Sequence, residues 1–346
     1  MTLRIRPAEW VADREELLSV LQRNLQDVPH EVRLTWLYRD NPAGPARTWF
    51  LCDEKGSAVG VTSLFPRAVW LDGKAALCGQ VGDFGVDVGL RSLGPAILLQ
   101  RATFEPVLQG SLAFCYDCPP HERGMAMFYR LGLPENCRMH VYVKPLRTER
   151  QLERLLGDTA GRLTARAVNH ILRLPSQCVR HSQGLEFTSH TEAFGPEFSM
   201  LDRTAQTPGT VRNRRGAEDL NWRFRRNPLH QFEVLTARRH GELVAYVVFS
   251  VIDEDAYIYD LFGSELHSVG LSLLQTLTEH LRDREVQTLR ALLADDGHDT
   301  AIFRQAGFSL RGDATRVVAF AGFNGSASGA TLRTAQWQFQ HADVMA

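Results

Sequence analysis

The stretch Gly82-Asp83-Phe84-Gly85-Val86-Asp87-Val88-Gly89-Leu90-Arg91-Ser92-Leu93-Gly94-Pro95-Ala96-Ile97-Leu98-Leu99-Gln100-Arg101 decides how the chain is read. Its first part is extended and punctuated by glycine, Arg91 to Ala96 is a tight loop, and an apolar run at helical spacing follows. The order is strand, loop, helix. A loop that opens directly into a helix leaves backbone N–H groups without partners at the positive end of the helix dipole. Such a terminus receives phosphate well. Gly94 lets backbone approach a ligand closely, and Pro95 suits a helix start, where its missing N–H is no loss. A plain strand-to-helix turn has the same local signature, so the neighbouring segments must discriminate.

Those neighbours form a meander. Leu3 to Arg6 is a short strand candidate, and Asp13 to Asn24 carries Leu17, Leu18 and Leu21 at helical spacing. A second helix runs from Arg33 to the Asn41-Pro42 turn, because the residue before proline is pushed out of the helical region. Thr48 to Cys52 and Ala58 to Phe65 read as strands, and Asp72-Gly73 is a strong two-residue hairpin signal between Val69–Leu71 and Lys74–Val86. After the loop, the spacing predicts a helix over Pro95 to Leu108, a strand over Ser111 to Tyr116, and a helix from His121 to Leu131 closed by Gly132.

The run Asp87-Val88-Gly89-Leu90-Arg91-Ser92-Leu93-Gly94-Pro95-Ala96 resembles the acetyl-coenzyme A signature of the GNAT N-acetyltransferase superfamily. In that signature an Arg or Gln, two residues, Gly, one residue, then Gly or Ala wrap the pyrophosphate, with an Asp commonly four before the Arg. Asp87, Arg91, Gly94 and Ala96 fall in register. The words Trp36-Leu37-Tyr38-Arg39-Asp40-Asn41-Pro42-Ala43-Gly44, Cys115-Tyr116-Asp117-Cys118-Pro119-Pro120 and Phe128-Tyr129-Arg130-Leu131-Gly132-Leu133 are similar, in that order, to a GNAT subgroup often associated with bacterial surface polysaccharide pathways. The resemblance covers most of residues 3 to 146.

An internal repeat extends it. Leu34-Thr35-Trp36-Leu37-Tyr38-Arg39-Asp40-Asn41-Pro42 is echoed by Leu220-Asn221-Trp222-Arg223-Phe224-Arg225-Arg226-Asn227-Pro228. Asp83 is mirrored by Asp260, Gly94 by Gly270, Phe128 by Phe303 and Gly132 by Gly307. A single long-period duplication means two copies of one unit rather than a solenoid. The expected fold class is α+β, two tandem GNAT folds, each a mixed and mostly antiparallel sheet flanked by helices. The expected domains are residues 1–146 with the acetyl-CoA loop, a connector helix over 147–174 rich in Arg and Leu, a degenerate second unit over 175–322, and a tail over 323–346. In that tail Gly322 to Gly329 reads as a flexible tether, and Trp337 and Phe339 suggest either docking back on the body or a frayed end. The second copy offers His267, Gly270 and Ser272 where the first has Arg91, Gly94 and Ala96, and Glu265 stands where a pyrophosphate would lie. A carboxylate there opposes phosphate binding, so coenzyme A is expected in the first copy.

Composition agrees with such a protein. The chain has 346 residues, 44% hydrophobic and 23% charged, with a formal net charge of −1. At about 150 residues per domain this suggests two domains with real cores. A near-neutral balance advertises no nucleic-acid surface. No apolar run reaches the roughly 20 residues of a membrane span, no signal peptide opens the chain, and the six cysteines are scattered. A cytoplasmic location is expected.

The resemblance implies an acyl-CoA-dependent N-acetyltransferase. Acetyl transfer from a thioester needs a deprotonated amine, a stabilised oxyanion and a proton for the departing thiolate. In the family, strands four and five splay and a free strand-four N–H meets the thioester oxygen, here from Phe84, Gly85 and Val86. Arg91, Ser92, Leu93, Gly94 and Ala96 complete the expected cofactor site. Strand alternation puts Asp83 on the face opposite Phe84 and makes it the first candidate for the base, against the reading of a fold-holding carboxylate that its echo Asp260 favours. Asp87 is expected to cap the loop, and His121 or Glu122 to relay a proton or simply open a helix. The family's tyrosine acid falls at Phe128; Tyr129, one step round the helix, and Tyr116 are the alternatives, with Cys115 or solvent behind them.

Trp36, Tyr38 and Arg39 are candidates for the acceptor pocket, although helical spacing and the echo at Trp222 and Phe224 also fit core. Arg212, Arg214 and Arg215 form a basic cluster suited to a nucleotide-sugar acceptor or to a solvated face. Cys115, Cys118, His121 and Cys137 lack the paired spacing of a zinc site, so no metal is expected. The expected partner is a small-molecule amine, such as a nucleotide-linked or amino sugar. Two alternatives stay open: an aminoacyltransferase of the peptidoglycan-bridge type, whose long helical hairpin this chain lacks, and a non-catalytic acyl-CoA-binding protein.

Overall fold

The computed structural model describes residues 2–26, 28–119, 122–147, 157, 184–295, 299–322 and 327–344. Most of the expected connector over 147–174, and His121, lie outside them. The first half runs β1 Arg4–Pro7, α1 Arg14–Asn24, α2 His30–Tyr38, β2 Arg47–Cys52, β3 Ala58–Leu71, β4 Lys74–Val86, α3 Leu93–Ala102, α4 Glu105–Leu108, β5 Phe114–Asp117, α5 Glu122–Arg130 and β6 Cys137–Pro145. The second half supplies β7 Leu185–Ser189, β8 Thr210–Asn213, β9 Glu233–Arg239, β10 Glu242–Ile252, β11 Asp255–Gly263, β12 Thr288–Ala294, β13 Ser309–Phe320 and β14 Gln336–Trp337. Its longest helix is Leu266–Asp283.

Local signals explain most of these elements. Asp72 and Gly73 both take left-handed φ, 52° and 71°, which is the two-residue turn that lets β3 and β4 pair from Leu71 opposite Lys74. The two strands expected on either side of Pro66 are one continuous strand, β3. The helix expected over Pro95 to Leu108 begins two residues earlier and breaks after Ala102, just ahead of Pro106, whose missing N–H cannot continue the ladder. Gly132 closes α5 with φ 74°, and the Leu133 amide donates to the Phe128 carbonyl at 2.9 Å. In the tail, Gly329 lies in the helix Ala327–Thr334 rather than in a tether. Trp337 and Phe339 are buried with Phe114 and Tyr116.

One sheet runs through both halves in the order β1-β2-β3-β4-β5-β13-β6-β12-β11-β10-β9-β7. The β4–β5 and β11–β12 neighbours are parallel. At its centre the halves exchange strands: β13 of the second half lies against β5 of the first, while β6 of the first half lies between β13 and β12. Each half is therefore completed by a strand from the other. In the first half α1 and α2 cover one face with Phe50, Val61 and Phe65, and α3 and α5 cover the other with Leu51, Val86 and Phe128.

The repeat has a physical meeting point. Trp36 and Trp222 stack with centroids 4.9 Å apart and planes 19° apart. Each indole N–H donates to the other tryptophan's carbonyl, at 2.8 and 2.9 Å. This reciprocity is what a local two-fold relation between copies produces.

Candidate acyl-transfer site

The site begins where β4 and β5 part. Their parallel pairing runs from Cys78 opposite Phe114 to Gln80 opposite Tyr116 and stops there. On its other edge β4 pairs Gly82 with Ser63 and Gly85 with Val61, so the register shifts and Asp83 and Phe84 form a bulge. Such an extra residue locally breaks the ladder and re-aims the chain. Asp83 carries φ 49°, a left-handed conformation uncommon outside glycine but tolerated by aspartate. Gly85 allows α1 to close over the bulge, because a Cβ there would lie 2.7 Å from the Asn24 Cβ. The expected cofactor edge, Phe84 to Val86, thus borders an open fork. Among the described residues no isolated backbone bridge spans it.

Beyond the fork, residues 88–90 make a short turn and Ser92 is extended at the head of α3. The amides of Leu93 and Gly94 find no acceptor among the described residues, as the first turn of a helix requires. A Cβ on Gly94 would meet nothing within 4 Å, so the space above the first turn is open. Arg91 is exposed and donates its Nε to the Val86 carbonyl at 2.9 Å, tying the loop to the end of β4. Asp87 does not cap this loop; it accepts from Asn24 at 2.8 Å and pairs with Arg23 at 3.2 Å, fastening the loop to α1. Ala96 packs with Phe84, Phe128 and Val318. Residues 84–96 therefore come together as one mouth.

Asp83 faces away from that mouth. Its carboxylate accepts from Tyr38 Oη at 2.6 Å and is ion-paired with Arg33, both on α2. Burial, with the Asp83 charge beside it, pushes the Tyr38 hydroxyl well above its ordinary pKa, so it donates as a neutral phenol. The echo Asp260 is held in the same manner, by Arg215 and by Tyr246 Oη at 2.8 Å. Tyr246 lies on β10 where Tyr38 lies on α2, so the two halves recruit this arrangement from different positions.

The remaining candidates are scattered. Tyr116 is buried on the opposite sheet face from Cys115 and donates to the Asp343 carbonyl at 2.9 Å. Its proton is engaged away from the mouth, and this corrects its candidacy as the acid. Tyr129 is 56% exposed on α5, while Phe128 at 1% holds the inner position. Trp36 is taken up by Trp222, Tyr38 by Asp83, and Arg39 is exposed. Arg212 and Arg215 are buried against Asp202, Asp260 and Asp343, so they are not a solvated basic face. Burial raises the Cys115 and Cys118 thiols above their ordinary values, which disfavours thiolate chemistry.

The second half has a fork too, and the chain fills it. The β11–β12 pairing stops at Ile258 opposite Ala291. Beyond that point Gln340 bridges both prongs: its side-chain amide accepts from the Leu261 N–H and donates to the Leu261 carbonyl, each at 2.7 Å, and its backbone pairs with Leu293. Leu261 follows Asp260 as Phe84 follows Asp83, so Gln340 sits in the second half where the first half has its fork. The helix Leu266–Asp283 starts straight after the strand, Gly270 sits in its second turn where a Cβ would lie 3.2 Å from Ile302, and Glu265 pairs with Arg239 at 2.9 Å. Neither Gln340 nor Asp117, the first residue of β5 past the fork, was singled out from sequence. A polar residue between Phe339 and His341 near a terminus was the available signal for Gln340.

No protein-family profile matches the sequence, and no curated protein does. Solved structures do match. A GCN5-related N-acetyltransferase from Anabaena variabilis ATCC 29413 superposes with a TM-score of 0.63 at 12% identity, over 92% of this chain and 73% of that one. Saccharomyces cerevisiae N-myristoyltransferase with bound myristoyl-CoA gives 0.56 at 12%, over 92% and 82%. A tandem GNAT protein from the clavulanic acid biosynthesis pathway gives 0.53 at 15%, over 94% of this chain and all of that one. At such identities the likeness is one of fold. The chain carries the GCN5-related N-acetyltransferase fold in tandem along its length.

Proposed function

We propose that the protein is an acyl-CoA-dependent N-acyltransferase whose single working site lies in the first half, with acetyl-CoA as donor and a small-molecule amine as acceptor. The observation that carries the reading is the pairing of an open β4–β5 fork with a free helix start at Leu93 and Gly94. Two unsatisfied amides, the helix dipole and open space at Gly94 suit a diphosphate. The exposed Arg91 adds a cation at the same mouth. The bulged backbone at Phe84 would face a thioester oxygen, where a fixed N–H lowers the cost of the oxyanion. The thioester supplies an activated acyl carbon; the chain's part is to grip, orient and move protons.

Asp83 serves this reaction by holding the bulge to α2 rather than by taking the amine's proton, since both its oxygens are engaged on the α2 face. The second half acts as a packing partner, its fork filled by Gln340. The acceptor approaches along the fork, and an amino sugar is the class to try first. The test is a titration with acetyl-CoA followed by free-thiol release over a panel of amines. Stabilisation by the ligand together with amine-dependent thiol release supports an enzyme; stabilisation alone makes it a binder, and the absence of both refutes the site.

A further inference from the structure

The geometry points to Asp117 as the general acid of this reaction, the group that gives its proton to the departing coenzyme A sulfur in the place that Phe128 cannot serve. This rests on the N-acyltransferase reading above. Asp117 is the first β5 residue beyond the last β4–β5 pair, so it stands at the apex of the fork. In β13 it is paired with Val318, and directly paired residues of an antiparallel ladder project to one face. Val318 packs with Met125, Phe128, Phe84 and Ala96, the cluster that joins the bulge, the loop and α5. Asp117 therefore shares the face on which the thiol must leave.

Asp117 is half-buried, and its partners differ from those of the ion-paired interior aspartates. Asp83, Asp202, Asp260 and Asp343 each meet an arginine. Among the described residues the Asp117 carboxyl has one hydrogen-bonding group, the Cys118 amide, and burial outweighs it, pushing the carboxyl up to about 7. Desolvation disfavours a charge that no cation offsets. Among the described residues Arg316, two residues before Val318 on β13, pairs with Glu122 of α5 and with Glu135. Among the described residues the titratable groups that interact with it are the thiols of Cys115 and Cys118.

The step balances as follows. The neutral amine attacks the thioester carbonyl carbon and a C–N bond forms. As the C–S bond breaks, sulfur takes the electron pair and the Asp117 proton, leaving free thiol and a carboxylate. The amine nitrogen loses one proton to water, and Asp117 regains one from water.

The experiment compares wild type, Asp117→Asn and Asp117→Glu by amine-dependent thiol release across pH, with thermal stabilisation by acetyl-CoA read on the same preparations. We expect acetyl-CoA to stabilise all three equally and kcat of Asp117→Asn to fall about 100-fold. The wild-type kcat should decline above pH about 7 as the acid ionises; Asp117→Asn should lack that limb, and Asp117→Glu should recover it in part. Full activity with the limb retained in Asp117→Asn overturns the assignment, as does a loss of acetyl-CoA stabilisation in that variant, which marks a structural role. A wild type that acetyl-CoA does not stabilise overturns the functional reading itself, and this assignment with it.

Discussion

Replacing Gly94 by leucine separates the fold from the ligand site. At residue 94 a Cβ meets nothing within 4 Å, and the backbone is not in the left-handed region, so the folded protein accommodates the side chain. Stability without ligand should stay within about 0.5 kcal/mol of wild type, as for an open surface position. The same space is where a diphosphate would sit on the Leu93 and Gly94 amides. Two charge-assisted hydrogen bonds of about 1.5–3 kcal/mol each are lost, which raises the dissociation constant by 100-fold or more. Wild type at 100 times its dissociation constant gains about 2.7 kcal/mol from acetyl-CoA. For 346 residues at about 2.1 cal/mol/K each, that is a rise of about 4 °C in melting temperature. The variant at the same ligand concentration should gain no more than about 0.4 kcal/mol, under 1 °C. Differential scanning fluorimetry with and without acetyl-CoA measures both numbers at once. Normal stabilisation of the Gly94→Leu variant would refute the placement of the phosphate site at the start of α3.

Other expectations follow from particular contacts. Asp83→Asn takes the carboxylate charge from the buried Arg33 ion pair and should cost about 3–5 kcal/mol in chemical denaturation; a loss under 1 kcal/mol would contradict its anchoring role. Trp36→Phe keeps a ring against Trp222 but deprives the Trp222 carbonyl of its donor, so about 1–2 kcal/mol of stability should go while acetyl-CoA stabilisation is unchanged. A selective loss of acceptor binding in that variant would instead place Trp36 in the pocket. His341 stacks on Tyr259, and burial lowers its pKa to about 4 from an ordinary value near 6.5. The unfolded chain then binds the extra proton first, so this contribution is intact above pH about 6.5 and declines as pH falls towards about 4. A His341→Phe variant should show a shallower acid-side fall in melting temperature, and an unchanged slope would exclude the effect.

What the sequence determined was whatever local chemistry dictates. Asp72-Gly73 requires a turn that few other dipeptides make, so β4 was legible from Lys74 to Val86; apolar spacing gave α1, and Gly132 gave the end of α5. The Arg91 to Ala96 loop was legible for the same reason, since a helix start has its own backbone demands. The repeat was legible as spacing around Trp36 and Trp222, but not their mutual stacking. Tertiary structure alone decided the rest. Which strand lies beside β5 depends on pairing between segments some 200 residues apart, and nothing in β13 marks it as the neighbour of Asp117 rather than of its own half. Asp83 looked free on a strand because its donors, Arg33 and Tyr38, arrive on a helix about 50 residues earlier. Gln340 closing the second fork, and the burial that raises the Asp117 carboxyl, come only when distant chain packs around a residue.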